Sequence, residues 1–486
     1  MLRVVAALPM SEFLPDRESL LLLLRIIGAI AAVAASLHAI LYKRDVRATI
    51  GWVGFIWIAP LAGPLLYLLF GVNRIRRRAG ALRGPAEKRR RFARVKSGEA
   101  CPVELPELAR LGDRICNTSL VPGNRIDALP EGEPAFDAML GAIASSRHSI
   151  SISTYIFELD TMGRRFIDAL VEAAGRGIAI RVLVDAVGSR PPGRALLKEL
   201  ASAGVVAARF LAPRNPASLI SVNLRNHRKI LIVDGRIGFT GGMNISDDYA
   251  MLPTARRLIR DVHFRIEGPV VPDLQSSFAG DWLFTTGEQL EGELWFPGTL
   301  ARSGDAVARV VADGPDESFE LNRWLILGAL ATARHSVRVA SPYFLPDSSL
   351  ITALGVAALR GVDVRIAIPE RLDHQFVKWA SNAQLWQVLE RGCRVWFTPP
   401  PFDHSKLLTV DGVWTLFGST NWDARSLRLN FELNVEAHDR NLAGTIESMI
   451  EQRISSGREI TLAEMDARGF AVRLRDGLAR LLTPYL

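Results

Sequence analysis

The chain has 486 residues, more than one ordinary domain, and at roughly 150 residues per domain it has room for about three units. Hydrophobic residues make up 49% and charged residues 23%, which excludes a disordered, collagen-like or low-complexity protein. The net charge of +8 is uneven: Arg74 to Lys96 holds eleven Lys and Arg against Glu87 alone, a local +10, so the rest of the chain sums to −2.

Cys101, Cys116 and Cys393 stand far apart with no C-x-x-C pair, which argues against a disulfide scaffold or zinc finger and suits a reducing compartment. The eight histidines show no ligand spacing, so neither a metal nor another cofactor is expected.

Leu20 to Tyr42 is apolar except for Arg25, Ser36 and His38, and a second apolar stretch runs from Ile50 to Val72. About 20 such residues cross the hydrocarbon of a bilayer. Ser36-Leu-His-Ala39 resembles a processing site, but Glu12, Asp16 and Glu18 precede the segment and a second apolar stretch follows, so a cleaved signal peptide is disfavoured. Residues 1–73 therefore read as a two-helix transmembrane hairpin, with Pro60, Gly63 and Pro64 leaving a kinked or re-entrant second segment open. Residues 74–123 read as a basic cytoplasmic linker. Its charge outweighs the three basic residues of the connecting loop (Lys43, Arg44 and Arg47), so the positive-inside rule puts the C-terminal bulk in the cytoplasm. The same run suits anionic lipid head groups and, less well, nucleic acid.

From about Asn124 onward the chain is written twice. Arg147-His-Ser and Arg334-His-Ser each begin an alternating strand, and a helical stretch follows, closing at Arg176-Gly177 or Arg360-Gly361. A second strand comes at once, at Ile178–Asp185 or Val362–Pro369. Strand–helix–strand implies parallel pairing with a right-handed crossover. The offsets of 187 and 184 residues, 334 − 147 and 360 − 176, mark a duplicated domain, 124–300 and 301–486, not a solenoid of short repeats.

The densest signal lies further along. His227-x-Lys229-x-x-x-x-Asp234, then Gly241-x-x-Asn244, recurs as His404-x-Lys406-x-x-x-x-Asp411, then Gly418-x-x-Asn421, at identical spacing. On a strand, His and Lys two apart share one face. Asp-Gly at 234–235 and 411–412 signals a tight hairpin, whose returning strand brings Gly-x-x-Asn back beside the histidine. Gly241 and Gly418 let backbone approach a ligand, and Asn244 and Asn421 supply amide donors. Two such halves facing each other clamp a phosphate between two imidazoles. Asp234 and Asp411 fit a catalytic role or a turn role equally well.

The doubled motif resembles the phospholipase D superfamily and, within it, the bacterial cardiolipin synthases. The likeness extends through Arg260-Asp-Val-His-Phe-Arg-Ile-Glu-Gly268, Ser341-Pro-Tyr-Phe-Leu-Pro346 and Gly418-Ser-Thr-Asn-Trp-Asp-Ala-Arg-Ser426. It implies an α/β fold of duplicated mixed-sheet domains related by a pseudo-twofold axis. It also implies a phosphohistidine intermediate, with one histidine attacking phosphorus and the other protonating the leaving alkoxide. Lys229, Lys406, Asn244 and Asn421, with Gly241, Gly418 and Ser419, would hold the phosphoryl oxygens. The first motif has Gly242 where the second has Ser419. Asp261 and Glu432, in alternating apolar stretches after the motifs, are candidates to orient the histidines, an ion pair with a neighbouring arginine being the other reading.

The activity so implied joins two phosphatidylglycerols into cardiolipin with release of glycerol, at the inner, cytoplasmic membrane of a bacterium. Its partners would be those lipids and not nucleic acid. A lipid-hydrolysing phospholipase D is the nearest rival, then a membrane-tethered nuclease and a non-catalytic scaffold. Finally, Leu474, Leu478, Leu481, Leu482 and Tyr485 form a helical apolar stripe expected to pack on the domain more than on a membrane surface. Trp379, Trp386 and Trp396 are expected to fill the core more than to line a lipid path.

Overall fold

The computed structural model describes residues 17–43, 46–71, 102–116, 118–189, 193–212, 224–315, 320–481 and 483. The basic run, Cys101, Leu482 and Tyr485 lie outside the described residues. The chain divides into two compact units, Met1–Arg78 and Ala79–Leu486.

In the first unit a 26-residue helix, Arg17–Tyr42, is long and apolar enough to cross a membrane. Its small residues Gly28, Ala32, Ala35, Ser36 and Ala39 are buried, as befits close helix packing in lipid. The expected second span is not one helix. It breaks into Val46–Ile58, Ala62–Leu66 and a π-helical turn Tyr67–Gly71. Pro60 lacks the N–H that a continuous helix needs, and the 13 residues of Val46–Ile58 reach about 20 Å, short of the roughly 30 Å hydrocarbon. The pieces fold back on the first helix, where His38 Nδ1 and Tyr67 Oη lie 2.8 Å apart.

The second unit is built on one sheet. Its first half supplies β1 (Val121–Pro130), β2 (Ser149–Thr154), β3 (Ala179–Asp185), β4 (Val206–Phe210), β5 (Ile230–Val233), β6 (Ile237–Gly241), β7 (Ile259–Arg260) and β8 (Val262–Glu267). The second half supplies β9 (Ala306–Asp313), β10 (Ser336–Ala340), β11 (Asp363–Pro369), β12 (Arg394–Thr398), β13 (Phe402–Asp403), β14 (Leu407–Val410), β15 (Trp414–Gly418), β16 (Glu432–His438) and β17 (Arg458–Ile460). The 15-stranded order is β17-β12-β11-β10-β14-β15-β16-β9-β1-β8-β6-β5-β2-β3-β4. Apart from β17 it reads the same outward in both directions from the antiparallel β9–β1 pair, which is the pseudo-twofold of a duplicated mixed sheet. The expected parallel pairs are β2–β3 and β10–β11.

Strand periodicity sorts the core. Ile230 and Ile232 of β5, Phe264 of β8 and Val435 of β16 join one cluster with Phe278, Trp282 and Ile446 of the helices Val271–Thr286 and Arg440–Ser456. Both halves share that cluster, and Phe264 stacks on Phe417 with ring centroids 3.8 Å apart. Leu231 and Val233 turn to a second cluster, belonging to the first half; Leu408 and Val410 turn to a third, belonging to the second half. Strands buried on both faces explain why β5 reads Ile-Leu-Ile-Val without alternation.

Two expectations fail at the C-terminal end. The helix Phe470–Arg480 buries Asp476 and Ala479 and leaves Leu474 and Leu478 exposed, as is Leu481 just beyond it, so its apolar stripe does not pack on the domain. Arg468 and Arg475 bind the Asp476 carboxylate and make its burial tolerable. Of the three tryptophans only Trp396 is buried; Trp386 is exposed and Trp379 is partly covered by the Arg475 guanidinium 4.6 Å from its ring.

Candidate active site

The two histidines meet because each is laced to the opposite half. His227 N donates to Phe431 O at 2.9 Å, and Phe431 N donates to Arg225 O at 2.8 Å. In the mirrored position β13 pairs with β7, and His404 N donates to Arg260 O at 2.7 Å. Phe431 and Arg260 immediately precede Glu432 and Asp261, so the carboxylates cross over. His227 Nδ1 lies 3.0 Å from Glu432 Oε2, and His404 Nδ1 lies 2.8 Å from Asp261 Oδ2. The partners of both carboxylates are imidazoles, not arginines. With Nδ1 engaged in each ring, Nε2 is the nitrogen left for chemistry.

Lys229 Nζ donates to His227 O at 2.7 Å; Lys406 Nζ donates to His404 O and lies 2.8 Å from His404 Nδ1. Asn244 Oδ1 accepts from Ile156 N at 3.2 Å while its Nδ2 donates to Tyr249 Oη at 2.9 Å. Asn421 Nδ2 donates to Ser426 Oγ at 3.3 Å, and its Oδ1 is buried without a protein partner. Each amide keeps a second N–H for a ligand. Both histidines, both lysines and both asparagines are buried, so the set works out of bulk water.

Burial is the main electrostatic cause throughout. It lowers the pKa of His227, helped by Lys229 and Lys406 and opposed by Glu432. It lowers that of His404 well below the usual value, with the charges of Lys406, Lys229 and His227 adding to the effect. Lys229 falls to about 7 and Lys406 to about 8. The carboxylates diverge. Burial lifts Asp261 to about 7; for Glu432 burial is outweighed by His227, Lys229 and the Ser419 hydroxyl, and its pKa is lowered.

Glycine is required at the motif ends for packing. Gly241 and Gly418 have φ of +154° and +152°, and a Cβ there would come within 2.6 Å of Val262 O and 2.2 Å of Leu433 O respectively. The Gly242/Ser419 difference matches the carboxylates. Ser419 Oγ donates to Glu432 Oε2 at 2.5 Å, whereas a Cβ on Gly242 would lie 2.3 Å from Asp261 Oδ2.

Asp234 and Asp411 do not join the cluster, which corrects their catalytic reading. Each sits in its hairpin turn at φ +54°. Asp234 accepts from the backbone N–H of Arg147, His148 and Ser149, and Asp411 from those of Arg334, His335 and Ser336. A strand of four residues, Ile230–Val233 or Leu407–Val410, separates each from its lysine, five steps or about 17 Å of chain.

Sequence reasoning missed Tyr249, whose Oη lies 3.4 Å from His404 Nδ1 and whose ring stands edge-on to it at 5.5 Å. Its signal was positional: it follows Asn244 by five residues, as Ser426 follows Asn421. Also missed were the buried pairs behind the histidines. Arg228 Nη1 binds Asp281 Oδ1 at 2.8 Å, and Asp403 binds Arg453. The charges are exchanged between the segment flanking the histidine and the helix behind it from one half to the other.

The fold and this duplicated His-Lys-Asn site define a member of the phospholipase D superfamily. The family described as "Cardiolipin synthase, PLD-like domain" matches residues 139–282 and 326–454, and "Phospholipase_D-nuclease N-terminal" matches 30–71. The cardiolipin synthase of Geobacillus thermodenitrificans is 33% identical over 456 residues, 92% of this chain and 90% of that protein. Cardiolipin synthase A of Pseudomonas fluorescens is 33% identical over 482 residues, 96% of this chain and 98% of that protein. Among solved structures, phosphatidylserine synthase of Haemophilus influenzae aligns with a TM-score of 0.62 at 13% identity, covering 78% of this chain and 100% of that one, a likeness of fold. The chain belongs to the cardiolipin synthase family.

Proposed function

We propose that the protein transfers a phosphatidyl group from one phosphatidylglycerol to another, giving cardiolipin and glycerol through a phosphohistidine. The observation that carries this reading is the crossed pair of imidazoles, each held at Nδ1 by a buried carboxylate of the other half. A phosphodiester anion repels nucleophiles, and covalent catalysis divides its displacement into two easier steps. Attack is assigned to His227. A phosphorylated imidazole that keeps its Nδ1 proton is cationic, and ionised Glu432 offers the charge it needs. Proton transfer is assigned to His404, whose partner Asp261 is pushed up by burial to about 7, a weaker acid than Glu432. An arriving phosphodiester also offsets the charges of Lys229 and Lys406, which otherwise disfavour protonated imidazole. In the second step the acid becomes the base for the incoming glycerol hydroxyl.

Phosphatidylglycerol and cardiolipin are thus the partners. The apolar helix Arg17–Tyr42 and the basic run after it support attachment to the inner membrane with the catalytic unit on the cytoplasmic side. The palindromic sheet supports division into 124–300 and 301–486.

Purified full-length protein incubated with phosphatidylglycerol vesicles should yield cardiolipin and glycerol. Phosphatidic acid as main product would make it a hydrolase. His227→Ala and His404→Ala should each abolish turnover in a folded protein, and the trapped phosphoenzyme should map to His227; mapping to His404 exchanges the two roles.

A further inference from the structure

On the surface of the catalytic unit the helix Phe470–Arg480 is inverted. It buries the carboxylate Asp476, 1% exposed, and leaves Phe470 81%, Leu474 51%, Leu478 57% and, one residue beyond it, Leu481 70% exposed. These positions fall on one helical stripe. The helix rests on Gln375–Asn382 through a small cluster of Leu345, Ala380 and Ala479, and that second helix exposes Phe376. A surface helix facing water would be turned the other way.

The stripe adjoins the site. Phe376 is two residues past His374, whose ring lies 6.0 Å from that of Tyr343; the Tyr343 ring lies 6.3 Å from His404, and its hydroxyl donates to Asp373 Oδ1 at 2.6 Å. Charge selects the occupant. The exposed charges on Phe470–Arg480 are Arg473, Arg475 and Arg480, and the only charge on Gln375–Asn382 is Lys378. Such a rim repels the chain's own basic run at Arg74–Lys96, and a second copy of the same face would set arginine against arginine. An anionic lipid surface complements it.

We propose that these two helices form a docking face for an anionic bilayer. Phe376, Phe470, Leu474, Leu478 and Leu481 sink into the headgroup–acyl boundary, and Arg473 and Arg480 rest on lipid phosphates. The Tyr343–His374 side of the site then meets the lipid. Docking stands on the exposed face alone; the benefit to turnover rests on the proposed lipid activity, so the test reads the two apart.

Full-length protein carrying Cys101→Ser and Leu478→Cys, labelled with a fluorophore and reconstituted in phosphatidylglycerol vesicles, is compared with Glu172→Cys on the first half. Cys116 and Cys393 are buried and stay unlabelled. The label at 478 should be quenched by shallow nitroxide lipid and shielded from iodide, and the label at 172 the reverse. Equal iodide quenching at both sites overturns docking. Shielding at 478 without nitroxide quenching, lost as protein is diluted in lipid, overturns it in favour of a second copy. The double variant Leu474→Ser with Leu478→Ser should raise the apparent KM for vesicle phosphatidylglycerol severalfold and leave kcat on detergent-dispersed substrate unchanged. An unchanged KM on vesicles refutes the coupling of docking to turnover; the quenching result stands whether or not the protein makes cardiolipin.

Discussion

At the scale of single residues, the two half-sites are equivalent in plan and different in detail. Asp261→Asn and Glu432→Gln should each lower kcat by about 10²-fold, since each loosens a histidine that must stay aligned to within an ångström. Thermal unfolding should shift much less, and equal losses in rate and stability would make the pairs structural. Gly242→Ser should also cost about 10²-fold, because its Cβ has no room beside the Asp261 carboxylate. Unaltered kinetics in Gly242→Ser would show that Asp261 does not need its present position. The histidines, lysines, asparagines and both carboxylates were legible in the sequence, since spacing on a strand fixes which side chains share a face. Their crossed partnership was not. Spacing orders residues along one strand and says nothing of which distant strand lies alongside; Tyr249, set by a short helical turn, escaped for the same reason.

The pH dependence belongs to this scale too. Lys229 and Lys406 reach about 7 and about 8 in the folded protein, held down chiefly by burial. In the proposed reaction the ammonium forms bind phosphate, so kcat/KM should fall as pH rises through about 7 to 8. The fall in kcat should come at higher pH, because a bound phosphodiester favours the ammonium. Stability should run the other way. The folded values lie below the ordinary lysine value of 10.5, so the unfolded chain binds more protons between them and stability rises with pH across that window. Thermal unfolding and kcat/KM measured at matched pH should therefore move in opposite directions.

At the scale of elements, each motif hairpin is fastened at its turn by an aspartate. Asp234→Ala removes the acceptor for three backbone N–H groups in a left-handed turn position. It should cost about 1–3 kcal/mol and leave kcat per folded molecule unchanged; Asp234→Asn, tolerant of that conformation, should lose less. A loss of kcat at full stability would restore the catalytic reading. The repeat, its offsets and its strand–helix–strand order were readable because local periodicity carries them. The order of strands across the junction was not, because pairing of β1 with β9 depends on two edges that no local pattern labels. The second apolar segment misled for another reason. Hydropathy sums over a window and is blind to the N–H that Pro60 cannot supply.

At the scale of the whole molecule, one helix among the described residues is of spanning length, and it lies in a different unit from the large α/β body. A tag after Leu486 should be reachable only from the cytoplasmic side; protease cleavage of that tag in intact spheroplasts would refute the orientation. Because the proposed transfer breaks one phosphodiester as it makes another, it should be nearly balanced, and added glycerol should drive cardiolipin back to phosphatidylglycerol. In the proposed reaction a buried site would help a lipid alcohol win against water, whose concentration is far higher, by limiting access to the intermediate.

The β9–β1 seam has an evolutionary corollary. Two separate copies of a single half could meet along the same antiparallel edge, each lending its carboxylate to the other's histidine. Identical copies, however, must carry identical residues on both sides of the seam, and so could never set Gly242 with Asp261 against Ser419 with Glu432. Joining the halves in one polypeptide lifted that rule. The two half-sites were then free to differ in character while each histidine still depended on its neighbour's carboxylate, so a chain shortened to one half would leave its imidazole without that partner.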